Sequence, residues 1–101
     1  MRKIILFCSA GMSTSALVRR MEQAAEEMGY ECEIEAHSVS ETIRKGSDAD
    51  VVLLGPQVRF SLEDTKKKLP DIPVDVIDMR VYGTMNGKAV LEQVKALLGD
   101  E

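Results

Sequence analysis

Two short runs in this 101-residue chain, Ile4-Ile5-Leu6-Phe7 and Val51-Val52-Leu53-Leu54, are apolar at every position. A strand with one wet face alternates apolar and polar residues. A short run that never alternates belongs to a strand covered on both faces, as in a parallel sheet flanked by helices. The strands predicted from these runs cover residues 3–8 and 51–54. Residues 31–38 do alternate: Cys32, Ile34 and Ala36 face one way, and Glu31, Glu33, Glu35 and His37 the other. That strand is expected at a sheet edge. Residues 74–77 read as a fourth strand.

Helical patterns separate the strands. Residues 13–28 carry an apolar stripe at Leu17, Met21, Ala24 or Ala25, and Met28, closed by Gly29. Residues 40–46 form a short helix with Ser40 as its N-cap. Gly55-Pro56-Gln57 ends the third strand and starts a helix running to about Leu69, where Pro70 stops it. Residues 78–85 read as a loop. Asn86 caps a last helix with Val90, Leu91, Val94, Leu97 and Leu98 on its apolar face, and Gly99 closes it. Four strands alternating with four helices predict an α/β fold: an open parallel sheet of order 2-1-3-4 with helices on both faces. At this length one core, and so one domain over residues 1–101, is expected.

A net charge of −4 argues against non-specific nucleic-acid binding, which needs a basic surface. The one basic run, Lys66-Lys67-Lys68, suits a solvated helix face. No apolar stretch approaches the roughly 20 residues that span a bilayer. Met1-Arg2-Lys3 followed by Ile4 to Phe7 is too short for a signal peptide, so a cytoplasmic, soluble chain is expected. Two cysteines without a C-x-x-C pair, and a single histidine, His37, point to neither a disulfide framework nor a metal centre. No cofactor is expected.

The chemistry concentrates at Cys8-Ser9-Ala10-Gly11-Met12-Ser13-Thr14-Ser15. A nucleophile ends the first strand, small and hydroxyl residues follow, and a helix opens. Backbone N–H groups of such a loop can cradle an anion, backed by the positive end of the helix. The same field favours the thiolate of Cys8. A thiolate in a phosphate-sized nest suggests chemistry at phosphorus. The first and third strands also flank the predicted topological switch point, where open α/β sheets bind ligands. Tyrosine phosphatases follow a comparable loop with an arginine in the pattern C-x5-R, but that position here is Thr14. Without that bidentate cation a phosphocysteine should persist until a specific acceptor arrives, as in a relay.

The opening K-I-I-L-F-C-S-A-G-M-S-T-S, the L-L-G-P-Q-V segment at residues 53–58 and the V-I-D-M-R-V-Y-G-T-M-N-G segment ending at Gly87 carry a resemblance over essentially the whole chain. It resembles enzyme IIB of the bacterial phosphoenolpyruvate-dependent sugar phosphotransferase system, in the lactose/cellobiose/chitobiose branch. The resemblance implies that Cys8 accepts a phosphoryl group from a phosphohistidine on enzyme IIA. It then passes the group to a sugar held by the membrane permease, enzyme IIC. The branch suggests a β-linked disaccharide of cellobiose or diacetylchitobiose type, with lactose less favoured.

The other residues admit plainer readings. Any of Ser13, Thr14 and Ser15 can cap the helix while also facing phosphate. Gly11 suits a positive-φ turn or a close approach to the anion. Met12, expected in the loop, suits either partner docking or gap filling. Pro56 and Gln57 either end a strand or support the site, and Tyr82 either closes over the site or packs on the last helix. Arg59 and Arg80 read as solvated surface charge, Cys32 as a core thiol, and His37 carries no assigned role. Two other functions compete with the relay: a small cysteine phosphatase or arsenate reductase, which the missing arginine disfavours, and a catalytically silent interaction domain. Nothing in the sequence demands more than a monomer.

Overall fold

The computed structural model describes residues 1–8 and 12–100, with Met12 and Ser13 described by their backbone alone. Its sheet has four parallel strands: β1 (Arg2–Cys8), β2 (Cys32–Ser38), β3 (Val51–Leu54) and β4 (Val74–Val76). Their order is β2-β1-β3-β4, as expected from the sequence. Ile4 pairs with Ile34 on one side and Val51 on the other.

The unbroken apolar runs are explained by two cores, one on each face. Ile4 and Leu6 of β1 join Val51 and Leu53 of β3 in the first core. There they meet Leu17, Met21 and Ala25 of α1 (Met12–Met28) and Val90, Leu91 and Val94 of α5 (Gly87–Leu98). Ile5, Phe7, Val52 and Leu54 point the other way. Their face is covered by α2 (Thr42–Gly46) and α3 (Leu62–Lys68). Each alternate side chain thus finds a dry partner on its own side. Edge strand β2 buries only Ile34.

Several local expectations need correction. The segment 78–85 is not a loop: it holds α4 (Met79–Gly83), because the Asp78 carboxylate accepts hydrogen bonds from the backbone N–H groups of Arg80 and Val81. A turn through Met85, at φ 52, joins it to α5. The short helix after β2 is capped by Ser38 rather than Ser40, and its first turn, Val39–Glu41, is 3₁₀. Pro56 likewise opens a 3₁₀ stretch, Pro56–Ser61, with a kink at Val58, before α3 begins. Helix α1 starts at Met12, which is therefore helical rather than in the loop. Asn86 caps α5 through Ala89 N–H, and Gly99 adopts φ 70 at its end, both as expected.

The chain ends are tied together at the N-terminal edge of the sheet. Arg2 donates to both carboxylate oxygens of Asp100, at 2.8 and 2.7 Å, and Tyr30 Oη donates to Asp100 Oδ2 at 2.6 Å. The hydrogen bonds from Arg2, then Tyr30, pull the Asp100 carboxyl down to about 2.

Candidate active site

Cys8 is the last residue of β1 and is 3% exposed. Side chains alternate along a strand, so its sulfur projects to the α1 face, as Ile4 and Leu6 do. β1 is flanked by β2, next in the chain, and by β3, reached after crossing back. The carboxyl end of β1 thus borders the switch point of the sheet. Phe7 O accepts a hydrogen bond from Gly55 N at 2.9 Å, which brings the turn after β3 alongside Cys8.

Helix α1 begins against this strand end. The first N–H groups of a helix have no partners within it and carry its positive end, which suits an anion beside Cys8. Thr14, in the first turn, is 1% exposed, and its hydroxyl donates to Cys8 Sγ at 2.8 Å. A neutral hydroxyl therefore touches the sulfur from the position where a C-x5-R loop has its arginine. Tyr82 Oη lies 3.0 Å from Thr14 Oγ1, so α4 reaches the Cys8 sulfur through Thr14. The Tyr82 ring also packs on the first core.

Of the other residues singled out by sequence, Ser9, Ala10 and Gly11 lie outside the described residues, as do the side chains of Met12 and Ser13. Ser15 is exposed in the first turn of α1. Pro56 and Arg59 border a shallow crevice with Asp78 and Met79, between the ends of β3 and β4. Gln57 folds back over Gly55: a Cβ built on that glycine would stand 2.8 Å from Gln57 Oε1 and 3.4 Å from Cys8 Cβ. Arg80 is exposed. Cys32 is half-buried on the edge strand, where burial pushes its thiol upward.

Sequence reasoning missed two contributors. Gly55 stands directly after an unbroken apolar strand, and that position was the available signal. Asp78 was the other: an Asp two residues before Arg80 and four before Tyr82 is a helix-cap signal, and it organises the segment that carries Tyr82. Among the described residues no helix is long and apolar enough to cross a membrane.

A family model described as "PTS system, Lactose/Cellobiose specific IIB subunit" matches residues 3–93. The oligo-beta-mannoside-specific EIIB component of the PTS system of Bacillus subtilis is 42% identical over 100 residues, 97% of each chain. The galactose-specific EIIB component of Lactococcus lactis subsp. cremoris is 43% identical over 102 residues, 94% of each. Among solved structures, the cellobiose-specific phosphotransferase IIB component from Borrelia burgdorferi is 38% identical with a TM-score of 0.80, over 98% of this chain and 93% of that one.

Proposed function

The chain belongs to the lactose/cellobiose-specific IIB subunit family of the phosphotransferase system, and we propose that Cys8 is the residue on which it carries the phosphoryl group. The observation that carries this reading is the hydroxyl of Thr14 donating to a sulfur at the carboxyl end of β1, under the first turn of α1. In the proposed cycle the Cys8 thiolate attacks phosphorus of a phosphohistidine on enzyme IIA. The N–P bond breaks and its electron pair stays on the imidazole while the S–P bond forms. A hydroxyl of a sugar held by the permease, enzyme IIC, then attacks the same phosphorus, giving its proton to a base of the permease or to water, and the S–P bond breaks to return the thiolate. Backbone N–H groups at the start of α1 balance charge on the equatorial oxygens, so catalysis is mostly positioning. Gln57, whose Oε1 comes up to the same Gly55 that Cys8 Cβ faces, supports the site from the β3 side.

The sugar is a β-linked disaccharide of cellobiose or diacetylchitobiose type. The relatives named for oligo-beta-mannoside and galactose are 42% and 43% identical to this chain, which supports sugar choice lying with the membrane partner. Work on the cytoplasmic side, as a monomer, follows from the same reading. Phosphatase activity is disfavoured, because Thr14 offers one neutral donor where hydrolysis draws on a bidentate cation.

The test is intact mass after incubation with phosphoenolpyruvate, the general phosphotransfer proteins and the matching enzyme IIA. Wild type gains one phosphoryl group and Cys8→Ser gains none. Uptake by Cys8→Ser, or none by wild type, overturns the assignment.

A further inference from the structure

We propose that Tyr82 is a positioning residue that acts on the Cys8 sulfur through the hydroxyl of Thr14; the inference rests on the reading of Cys8 as the phosphoryl carrier. The direction of these two hydrogen bonds follows from the hydrogens available. A threonine hydroxyl has one, and Thr14 gives it to Cys8 Sγ at 2.8 Å. The 3.0 Å contact with Tyr82 Oη must then run the other way, with the phenol donating to Thr14. A thiolate accepts and never donates, so the charged sulfur enforces this order: Tyr82 to Thr14 to Cys8.

The directed chain does what a lone hydroxyl does poorly. An isolated Thr O–H rotates, and its hydrogen points at the sulfur only part of the time. A donor fixed on its oxygen holds the hydrogen toward the sulfur and polarises the bond it makes. Thr14 is 1% exposed and Cys8 3%, so water competes little for either. Tyr82 can serve as the fixed point. Its ring packs on the first core, and its N–H donates to Asp78 O at 2.9 Å, on the residue that caps α4.

The chain matters most when the S–P bond breaks. The electron pair then returns to sulfur, and the Thr14 hydrogen stands ready to meet it. While Cys8 is phosphorylated its sulfur is uncharged, and the same hydrogen can turn to a phosphoryl oxygen. A neutral relay of this kind supports transfer in both directions.

The experiment is a double-mutant cycle on phosphoryl transfer from phosphorylated enzyme IIA, using wild type, Tyr82→Phe, Thr14→Val and the double variant. Tyr82→Phe keeps the ring and removes only the hydroxyl; thermal melting verifies that all four are folded. Tyr82→Phe is expected to lower kcat about tenfold with KM unchanged, the worth of one net hydrogen bond. Thr14→Val is expected to lower it about a hundredfold, since that bond reaches a charged group. The double variant falls no further than Thr14→Val, and Thr14→Ser recovers most of the rate. Wild-type kcat in Tyr82→Phe, or a Tyr82 effect that multiplies undiminished onto Thr14→Val, overturns the proposal. If wild type itself takes up no phosphoryl group, the carrier reading fails separately. The cycle is then read in the alkylation rate of Cys8 by iodoacetamide, mapped by peptide mass to exclude Cys32. The same non-additive slowing supports the relay, and additive or absent effects reject it.

Discussion

Replacing Gly87 by Ala tests whether α1 and α5 are held together by backbone approach. Gly87 is buried at the first residue of α5. A methyl there would stand 2.5 Å from Arg20 C, 2.6 Å from Arg20 O and 2.6 Å from Met21 N. Carbon contacts prefer about 3.5–4.0 Å, so α5 must retreat from α1 by roughly 1 Å. All three obstructing atoms are backbone inside α1, and no side chain can swing aside to relieve them. Behind the contact lie Leu17, Met21, Val90, Leu91 and Val94, all fully buried, so the retreat opens the first core. Overpacking costs about 1–3 kcal/mol, and an unyielding backbone places this case near 3 kcal/mol. A domain of this size loses about 4–8 °C in Tm per kcal/mol, which gives a fall on the order of 12–24 °C. Gly83→Ala is the control: nothing lies within 4 Å of the added methyl, and alanine favours the helix. Its Tm should stay level or rise slightly. Circular dichroism melts of the two variants decide the matter. A Gly87→Ala protein melting within about 2 °C of wild type would refute the close-approach argument.

Asp78→Ala removes both cap bonds of α4 and should cost about 1 kcal/mol, read as a lower Tm. Because α4 carries Tyr82, phosphoryl transfer at a temperature where the variant is fully folded should also slow; unchanged transfer would separate the cap from the site. Arg2 and Tyr30 hold the Asp100 carboxyl at about 2, below its ordinary 3.8. A carboxylate shifted downward stabilises the fold fully above its unfolded value, and that contribution is lost as pH falls through the folded one. Urea unfolding between pH 4 and pH 2 should therefore show Asp100→Asn losing less stability than wild type on acidification, while being less stable at neutral pH; parallel curves would deny the clasp any role.

Much of this architecture was legible because the signals are local. The parity of side chains along β1, β2 and β3 separates buried from edge strands, and the stripe of Leu17, Met21 and Ala25 faces its helix inward whatever it packs on. The end caps of α5 were legible for the same reason: Asn86 and Gly99 act within a few residues of themselves. The short elements were misread. Five residues from Met79 to Gly83 are too few for a hydrophobic period to show, and such a helix forms because a cap and a neighbouring core hold it. The same applies to the 3₁₀ turn that moved the cap from Ser40 to Ser38.

By itself, then, the sequence determined the strand order, the two-sided core and the placing of Cys8 at a strand end before a helix, all of which follow from periodicity and capping over a few residues. Only the tertiary structure decided that Thr14 faces the sulfur and that Tyr82, 68 residues further along, completes the chain of hydroxyls. That meeting depends on how α1 and the α4–α5 corner pack across the carboxyl ends of the strands. Hydrogen bonds between residues so far apart leave no spacing to read, because their geometry is set by the packing of the sheet and helices between them.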